Sequence, residues 1–242
     1  MARLPRLYAP DTPQLVQTRF VQPLASPSEA TPGDTLDLLR GWLDRDACLH
    51  RVALHGWLLL NDRICLLATP SEAKGLPRLM QSLGRRMALL LRQGSVFAGR
   101  YRSALVQPGV WMIPALVWLE SLPAQLRYVD RPEAWPWSSA SWHVGATLDK
   151  LAAQSDHPDY WACGNTPFAR QSHWRLQLSQ GLSQNRARHI AQSLHGQWVL
   201  GEPDFLQRLA PIANRRLTPD KRGRPRKSSS TADHADSGPR DA

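Results

Sequence analysis

The histidines and cysteines of this 242-residue chain show no spacing that supports a metal site. His50 and His55 are five apart, which on one strand puts them on opposite faces, so they read as core or rim histidines rather than a ligand pair. Cys48, Cys65 and Cys163 are odd in number and form no Cys-x-x-Cys pattern, which supports neither a disulfide framework nor a zinc site. Guanidinium is the plentiful group. Lys and Arg number 30 against 20 Asp and Glu, a formal net charge of +10, and such a surplus favours polyanionic partners, nucleic acid first. Arg85, Arg86, Arg100 and Arg102 are the candidates to meet phosphates, where each neutralised charge releases counterions and makes affinity salt-dependent. For Arg78 and Arg92 a solvated helix face is the simpler reading.

Basic residues become dense near the C-terminus. Arg215, Arg216, Lys221, Arg222, Arg224, Arg226 and Lys227 stand there against one acid, Asp220. Arg222-Gly223-Arg224-Pro225 is similar to the core of an AT-hook, an extended arm whose arginines enter the narrow, electronegative minor groove of A/T tracts. Glycine allows close backbone approach and proline keeps such an arm extended. After Lys227 the sequence is small, polar and without periodicity, so disorder is expected. The chain also holds ten tryptophans; packing is the commoner use of such residues, and base stacking is the alternative for exposed rings.

These groups need a scaffold, and the periodicity describes one. Residues 14–20 read as a strand and 31–46 as a helix, with Asp34 as its cap and Leu36, Leu39 and Leu43 on one face. Two strands, 50–59 and 63–69, flank the turn residues Asn61 and Asp62. Leu76, Leu79, Met80, Leu83, Met87 and Leu90 fall on one arc of a helix over 75–93, and a strand follows at about 100–107. The order βαββαβ predicts an α+β fold: a ferredoxin-like antiparallel sheet with helices on one side. Pro114 is acceptable only in a first turn, and Leu122 precedes Pro123, so a short helix is expected to end at Ser121. A tryptophan-rich irregular segment (Trp135, Trp137, Trp142, Trp161) and helices at about 183–196 and 203–213 then form an accessory layer. The expected division is a core domain over 1–130, an accessory region over 131–213, and a basic, largely disordered tail over 214–242. The greasiest stretch, Ala104 to Leu122, is broken by Pro108 and Pro114, and no apolar run follows the N-terminus. Membrane spanning and secretion are therefore not expected, and the cysteine usage suits a reducing cytoplasm.

Four segments carry a family likeness. The opening MARLPRLYAP, the GRYRSALV of Gly99 to Val106, the WSS of Trp137 to Ser139 with Gly145 beyond it, and the closing RRLTPDKRGRPRK of Arg215 to Lys227 resemble REP-associated tyrosine transposases. These are small DNA-nicking enzymes of the HUH class, and the resemblance spans residues 1–227. It implies a strand carrying His-hydrophobic-His, two imidazoles on one strand face that hold a divalent cation, Mg or Mn, against the scissile phosphate. It also implies a helical tyrosine that attacks the phosphorus and leaves a covalent phosphotyrosine link.

In this sequence the strand segment reads Leu60-Asn61-Asp62-Arg63-Ile64-Cys65-Leu66-Leu67, so Arg63 and Cys65 stand where the resemblance expects the two histidines. A guanidinium does not bind a cation, and a lone thiol is a poor partner for Mg²⁺. The helix segment reads Val117-Trp118-Leu119-Glu120-Ser121-Leu122-Pro123, with Glu120 and Pro123 keeping the frame and Trp118 in the nucleophile's place. An indole has no ionisable oxygen. What the resemblance implies is therefore a DNA-binding protein for hairpin or single-stranded DNA, with no intact catalytic residue and no metal or other cofactor. Family precedent adds a homodimer as a partner state. Arg63 reads either as a phosphate-gripping fork in place of the metal or as a strand-end surface residue. Tyr128, ten residues past Trp118, is the displaced nucleophile of an alternative, still-active enzyme; half-buried packing is the other reading of it.

Overall fold

Six elements follow one another in the expected order in the computed structural model, which describes residues 5–26 and 30–219. They are β1 (Gln14–Arg19), α1 (Gly33–Leu49), β2 (Val52–Leu59), β3 (Arg63–Pro70), α2 (Gly75–Leu91) and β4 (Arg102–Leu105). Every strand pair is antiparallel and the sheet runs β2-β3-β1-β4, so the chain is α+β with the ferredoxin-like arrangement. Lys221, Arg222, Arg224, Arg226 and Lys227, and with them the AT-hook-like stretch and the expected disorder, lie outside the described residues.

Register sorts the side chains between the two faces. Directly opposed residues point the same way. The pairs Gln17–Cys65, Arg19–Arg63, Gln17–Arg102 and Leu58–Cys65 therefore put Gln17, Arg19, Arg63, Cys65 and Arg102 on one face. α1 and α2 cover the other face. Gly75, at the start of α2, lies against Val52 and Pro70, and Phe97, just beyond α2, stacks on Phe20. Leu76, Leu79, Met80, Leu83 and Met87 are buried there as their spacing predicts, whereas Leu90 is partly exposed. Asp34 does not cap α1. It sits in the first turn, where its charge still complements the exposed backbone N–H groups, and Pro32 holds the cap position without a side-chain bond.

The arginine-bearing face is covered by helices beyond the ferredoxin-like unit. α3 (Met112–Gln125) lies over β2 and β3 and runs four residues past the expected stop, with Pro123 inside it. The proline forfeits one backbone donor and disfavours the helical region at Leu122, but every residue from Pro114 to Pro123 is buried. Packing on all sides outweighs that local bias, and it also explains why α3 has no polar stripe. Gly56 of β2 is where the helix seats, since a Cβ there would collide with Leu116 Cδ1.

Five further helices follow: α4 (Ala140–His143), α5 (Pro158–Trp161), α6 (Pro167–Gln180), α7 (Gln184–Gly196) and α8 (Pro203–Leu209). α6 lies in what reads as irregular sequence. Its start is nonetheless written there: Thr166 accepts the Ala169 N–H at 3.1 Å, and Pro167 opens the first turn. Only Arg170, Trp174 and Leu178 are buried along it, a stripe too thin to announce a helix. α8 stops at Leu209 and gives way to a 3₁₀ turn, Ala210–Ile212. One hydrophobic cluster extends from Leu15 through Trp135, Tyr160, Trp174 and Ile190 to Leu200, crossing the expected boundary at residue 130. Trp57, Trp111, Trp118, Trp135 and Trp174 are buried, and Trp161 is 52% exposed. No helix among the described residues is long and apolar enough to cross a membrane.

Candidate nucleic-acid interface

The position of α3 is set by one buried carboxylate. Glu120 accepts hydrogen bonds from Ser139 Oγ at 2.6 Å, His143 Nδ1 at 2.6 Å and Trp174 Nε1 at 2.8 Å, and all four side chains are within a per cent of complete burial. Three donors on one carboxylate satisfy a charge that burial alone makes costly. The bonds tie α3 to the 139–143 segment and to α6, and so determine where Trp118, two residues earlier, is presented. Ser139 also accepts the Trp57 N–H at 3.0 Å, linking the same node to β2. The sequence marked Glu120 and Ser139 only as matching letters; their shared role required the fold.

Beside this node, the arginine face opens into a cleft of about 540 Å³ between β1, β3, α3 and α7. Arg19, Arg63, Trp118 and Arg188 border it, with Gln17, Gln192 and Trp198. A second hollow of about 450 Å³ shares Gln17, Arg19 and His195 with the first and adds Arg100 and Arg102. Five guanidiniums thus surround two adjoining hollows, and among the described residues no Asp or Glu lines either. Arg63 is held by Asp62, which accepts from Nε at 2.8 Å and from Nη2 at 2.6 Å. These bonds hold the guanidinium above its usual range, and they leave both Nη1 N–H groups and the second Nη2 N–H as donors. Arg102 donates to the His195 carbonyl at the end of α7.

Other expected site residues are placed differently. Cys65 is on the same strand face but completely buried beneath the cleft, where Gln17 Nε2 donates to its Sγ at 3.4 Å. Burial pushes its thiol up to about 11, so it is uncharged at neutral pH. Tyr128 follows α3, is 40% exposed, rests against Trp135 at 5.2 Å and does not border the cleft. Burial and the Asp62 charge raise its phenol, with Arg63 pulling the other way, so the ring stands within electrostatic reach of that pair. Arg85 and Arg86 are on α2, across the sheet. Arg86 is bound to the fully buried Asp46 at 3.0 Å, which makes it a tie between α1 and α2. Arg215 donates to the Gln197 carbonyl and stands 5.6 Å over the Trp198 ring, while Arg216 is exposed.

Active enzymes of the resembled family use Mg or Mn, and the groups on this face do not fit such an ion. Guanidinium, a protonated thiol, a carboxamide and an indole offer no anionic oxygen to a hard cation. Among the described residues no three His, Cys, Asp or Glu side chains converge.

A structure of a REP-associated tyrosine transposase bound to a REP hairpin superimposes with a TM-score of 0.50, covering 62% of this chain and 90% of the other at 11% identity. The chain has the fold of a REP-associated tyrosine transposase. At that identity the likeness is one of fold alone. A Deinococcus radiodurans R1 protein assigned as a transposase matches more loosely, with a TM-score of 0.33 at 18% identity over 52% of this chain and 94% of that one. No protein-family model and no curated protein matches the sequence.

Within the transposase-like fold, the residues that sequence reasoning missed are Gln17, Arg19, Arg188, Gln192 and Trp198. Arg19 alternates with Gln17 on β1, and Arg188 and Gln192 are one turn apart on α7. Each spacing was visible. Which strand face and which helix face would meet was not.

Proposed function

We propose that the chain is a DNA-binding protein built on the transposase fold, which holds hairpin or single-stranded DNA in the arginine cleft and does not nick it. The observation that carries this reading is the convergence of Arg19, Arg63, Arg100, Arg102 and Arg188 around hollows that no carboxylate of the described residues lines. A guanidinium grips a phosphate with two parallel N–H bonds, and Arg19, Arg100 and Arg188 match a run of backbone phosphates, with Arg63 and Arg102 adding charge although Asp62 and the His195 carbonyl take part of their donors. Chemistry is the weaker use of the same place. Trp118 has no oxygen to attack a phosphorus, and the Cys65 thiol is protonated and out of reach. Arg216, exposed, and Lys221, Arg222, Arg224, Arg226 and Lys227, which follow it in the sequence, supply further positive charge for the same partner. Such a protein acts as a regulator or as a competitor of active transposases.

A second reading has one observation in its favour. Tyr128 is half-exposed and within electrostatic reach of the Asp62–Arg63 pair, and a phenol there would be the nucleophile of a still-active strand transferase. Its raised pKa and its place outside the cleft oppose this. Labelled hairpin DNA incubated with Mg²⁺ or Mn²⁺ separates the two on paired native and denaturing gels. A salt-sensitive shift without a covalent adduct is the expected result. An adduct abolished by Tyr128→Phe would replace the first reading with the second, and absence of any shift at low salt would remove both.

A further inference from the structure

In a chain with a net charge of +10, one hollow is acidic. It has a volume of about 370 Å³, lies beside β2 between α1 and the segment over 133–154, and shares no lining residue with the arginine cleft. Asp37, Glu133 and Asp149 border it against one guanidinium, that of Arg40. The carboxylates are only partly engaged. Trp137 Nε1 donates to Asp37 Oδ1 at 2.8 Å, Arg40 Nη2 bonds Asp149 Oδ2 at 2.6 Å, and Arg131 stands 3.8 Å from Glu133 Oε1. Among the described residues each acid therefore keeps an oxygen for a cation, and a phosphate is repelled.

Gln154 indicates what else that cation must carry. The Trp57 indole is a donor only, so Gln154 turns its Oε1 to it, at 3.0 Å, and its Nε2 must face away. That Nε2 has no partner, although Gln154 is only 6% exposed and lines the hollow. A buried N–H without an acceptor is a cost that a bound carbonyl removes. Protonated polyamines and metal ions offer no acceptor, whereas a peptide bearing a cationic side chain offers both groups a few bonds apart. Arg40 shows the fit from within the chain: its guanidinium lies 5.8 Å from the Trp57 ring while bonding Asp149. A planar guanidinium forks onto carboxylates and stacks on indoles, which an ammonium does less well.

We propose that this hollow takes an arginine side chain of an extended peptide, its guanidinium among Asp37, Glu133 and Asp149 and a neighbouring peptide carbonyl on Gln154 Nε2. The volume is near the lower end of small-ligand pockets, roughly 300–1,000 Å³, which suits one side chain with its peptide groups. The face beside β2 is thus a docking point for an arginine-bearing segment of a partner protein, and it stands whether or not the cleft binds DNA.

The probe is acetyl-arginine methylamide, one arginine flanked by two peptide groups, titrated into the isotope-labelled full chain and followed by NMR. The Gln154 side-chain amide and the Trp57 indole N–H are expected to shift saturably. Ethylguanidinium, which has the cation without the carbonyl, is expected to bind roughly tenfold more weakly, and the neutral citrulline analogue to leave both resonances in place. Asp37→Asn combined with Glu133→Gln is expected to weaken the arginine probe by roughly tenfold or more. Asparagine still accepts from Trp137, and neither position borders the arginine cleft, so thermal melting and DNA affinity should be unchanged. Equal shifts with the citrulline analogue, or undiminished affinity in the double variant, would overturn the inference, as would the absence of any saturable shift.

Discussion

Arg86 and Arg188 are the same side chain on two amphipathic helices, and their neighbours give them opposite uses. Burial pushes Asp46 upward, but the Ser82 hydroxyl and the Arg86 guanidinium outweigh it and hold the carboxyl below its ordinary range. Arg86→Ala is therefore expected to destabilise the fold by about 1–3 kcal/mol in urea denaturation, by leaving the buried Asp46 with only Ser82 and the longer Arg45 pair, with DNA affinity unchanged. Arg19→Ala and Arg188→Ala are expected to do the reverse. Each should weaken binding to all sequences and lower the slope of log K against log salt by about one, as titrations at several ionic strengths would show. Glu120 is the other decisive residue. Glu120→Ala leaves the buried His143 and Trp174 N–H groups without this acceptor, Ser139 keeping the Trp57 carbonyl at 3.3 Å, and should cost about 3–5 kcal/mol by chemical denaturation, whereas Glu120→Gln, which keeps the shape and one acceptor, should cost less.

Among the elements, α3 departs furthest from its local sequence preferences. A proline near its end predicts an early stop, yet the helix continues because sheet, α6 and α7 pack around it and leave the segment no better way to bury its side chains. The seam with β2 is tight at one point. Gly56→Ala forces Leu116, itself 1% exposed, out of its place and should destabilise the protein by about 1–3 kcal/mol. The double variant with Leu116→Ala should recover part of the steric loss, a coupling that a double-mutant cycle in urea measures directly. α6 shows the complementary failure: a correct start signal at Thr166-Pro167 goes unread because the helix buries only a thin stripe and exposes the rest.

At the scale of the whole molecule, the added helices seal histidines into the core. His55 bonds the Ser155 carbonyl through Nδ1 at 2.6 Å and the Thr69 hydroxyl through Nε2 at 2.8 Å, joining β2 to β3 and to a segment a hundred residues away. Burial pushes its imidazole down to about 4 from its ordinary 6.5, and burial moves His157 in the same direction. Between those two values the unfolded chain takes up a proton that the folded one refuses, so stability rises with pH there. The contribution is complete above about pH 6.5 and is lost as pH falls towards 4, a change of about 3 kcal/mol for His55. Urea midpoints from pH 7 to 4 should fall accordingly, and His55→Gln should flatten the curve. A midpoint constant across that range in the native protein would count against the buried, neutral histidine.

The amino-acid order determined the strands, the two long helices and the βαββαβ succession, because alternation and 3.6-residue periodicity are local properties of a half-buried element. It also determined the charge surplus and the chemical poverty of positions 63, 65 and 118, which follow from residue type alone. Tertiary structure decided which arginines meet. Arg85 and Arg86 are carried to the far side of the sheet, Arg19 and Arg188 arrive from elements 169 positions apart in the chain, and Cys65 sinks below the surface that Arg63 borders. A side chain's type and its place in a period say how it can interact; which neighbours it has depends on how faces pair across the sheet, and that pairing is set by long-range packing.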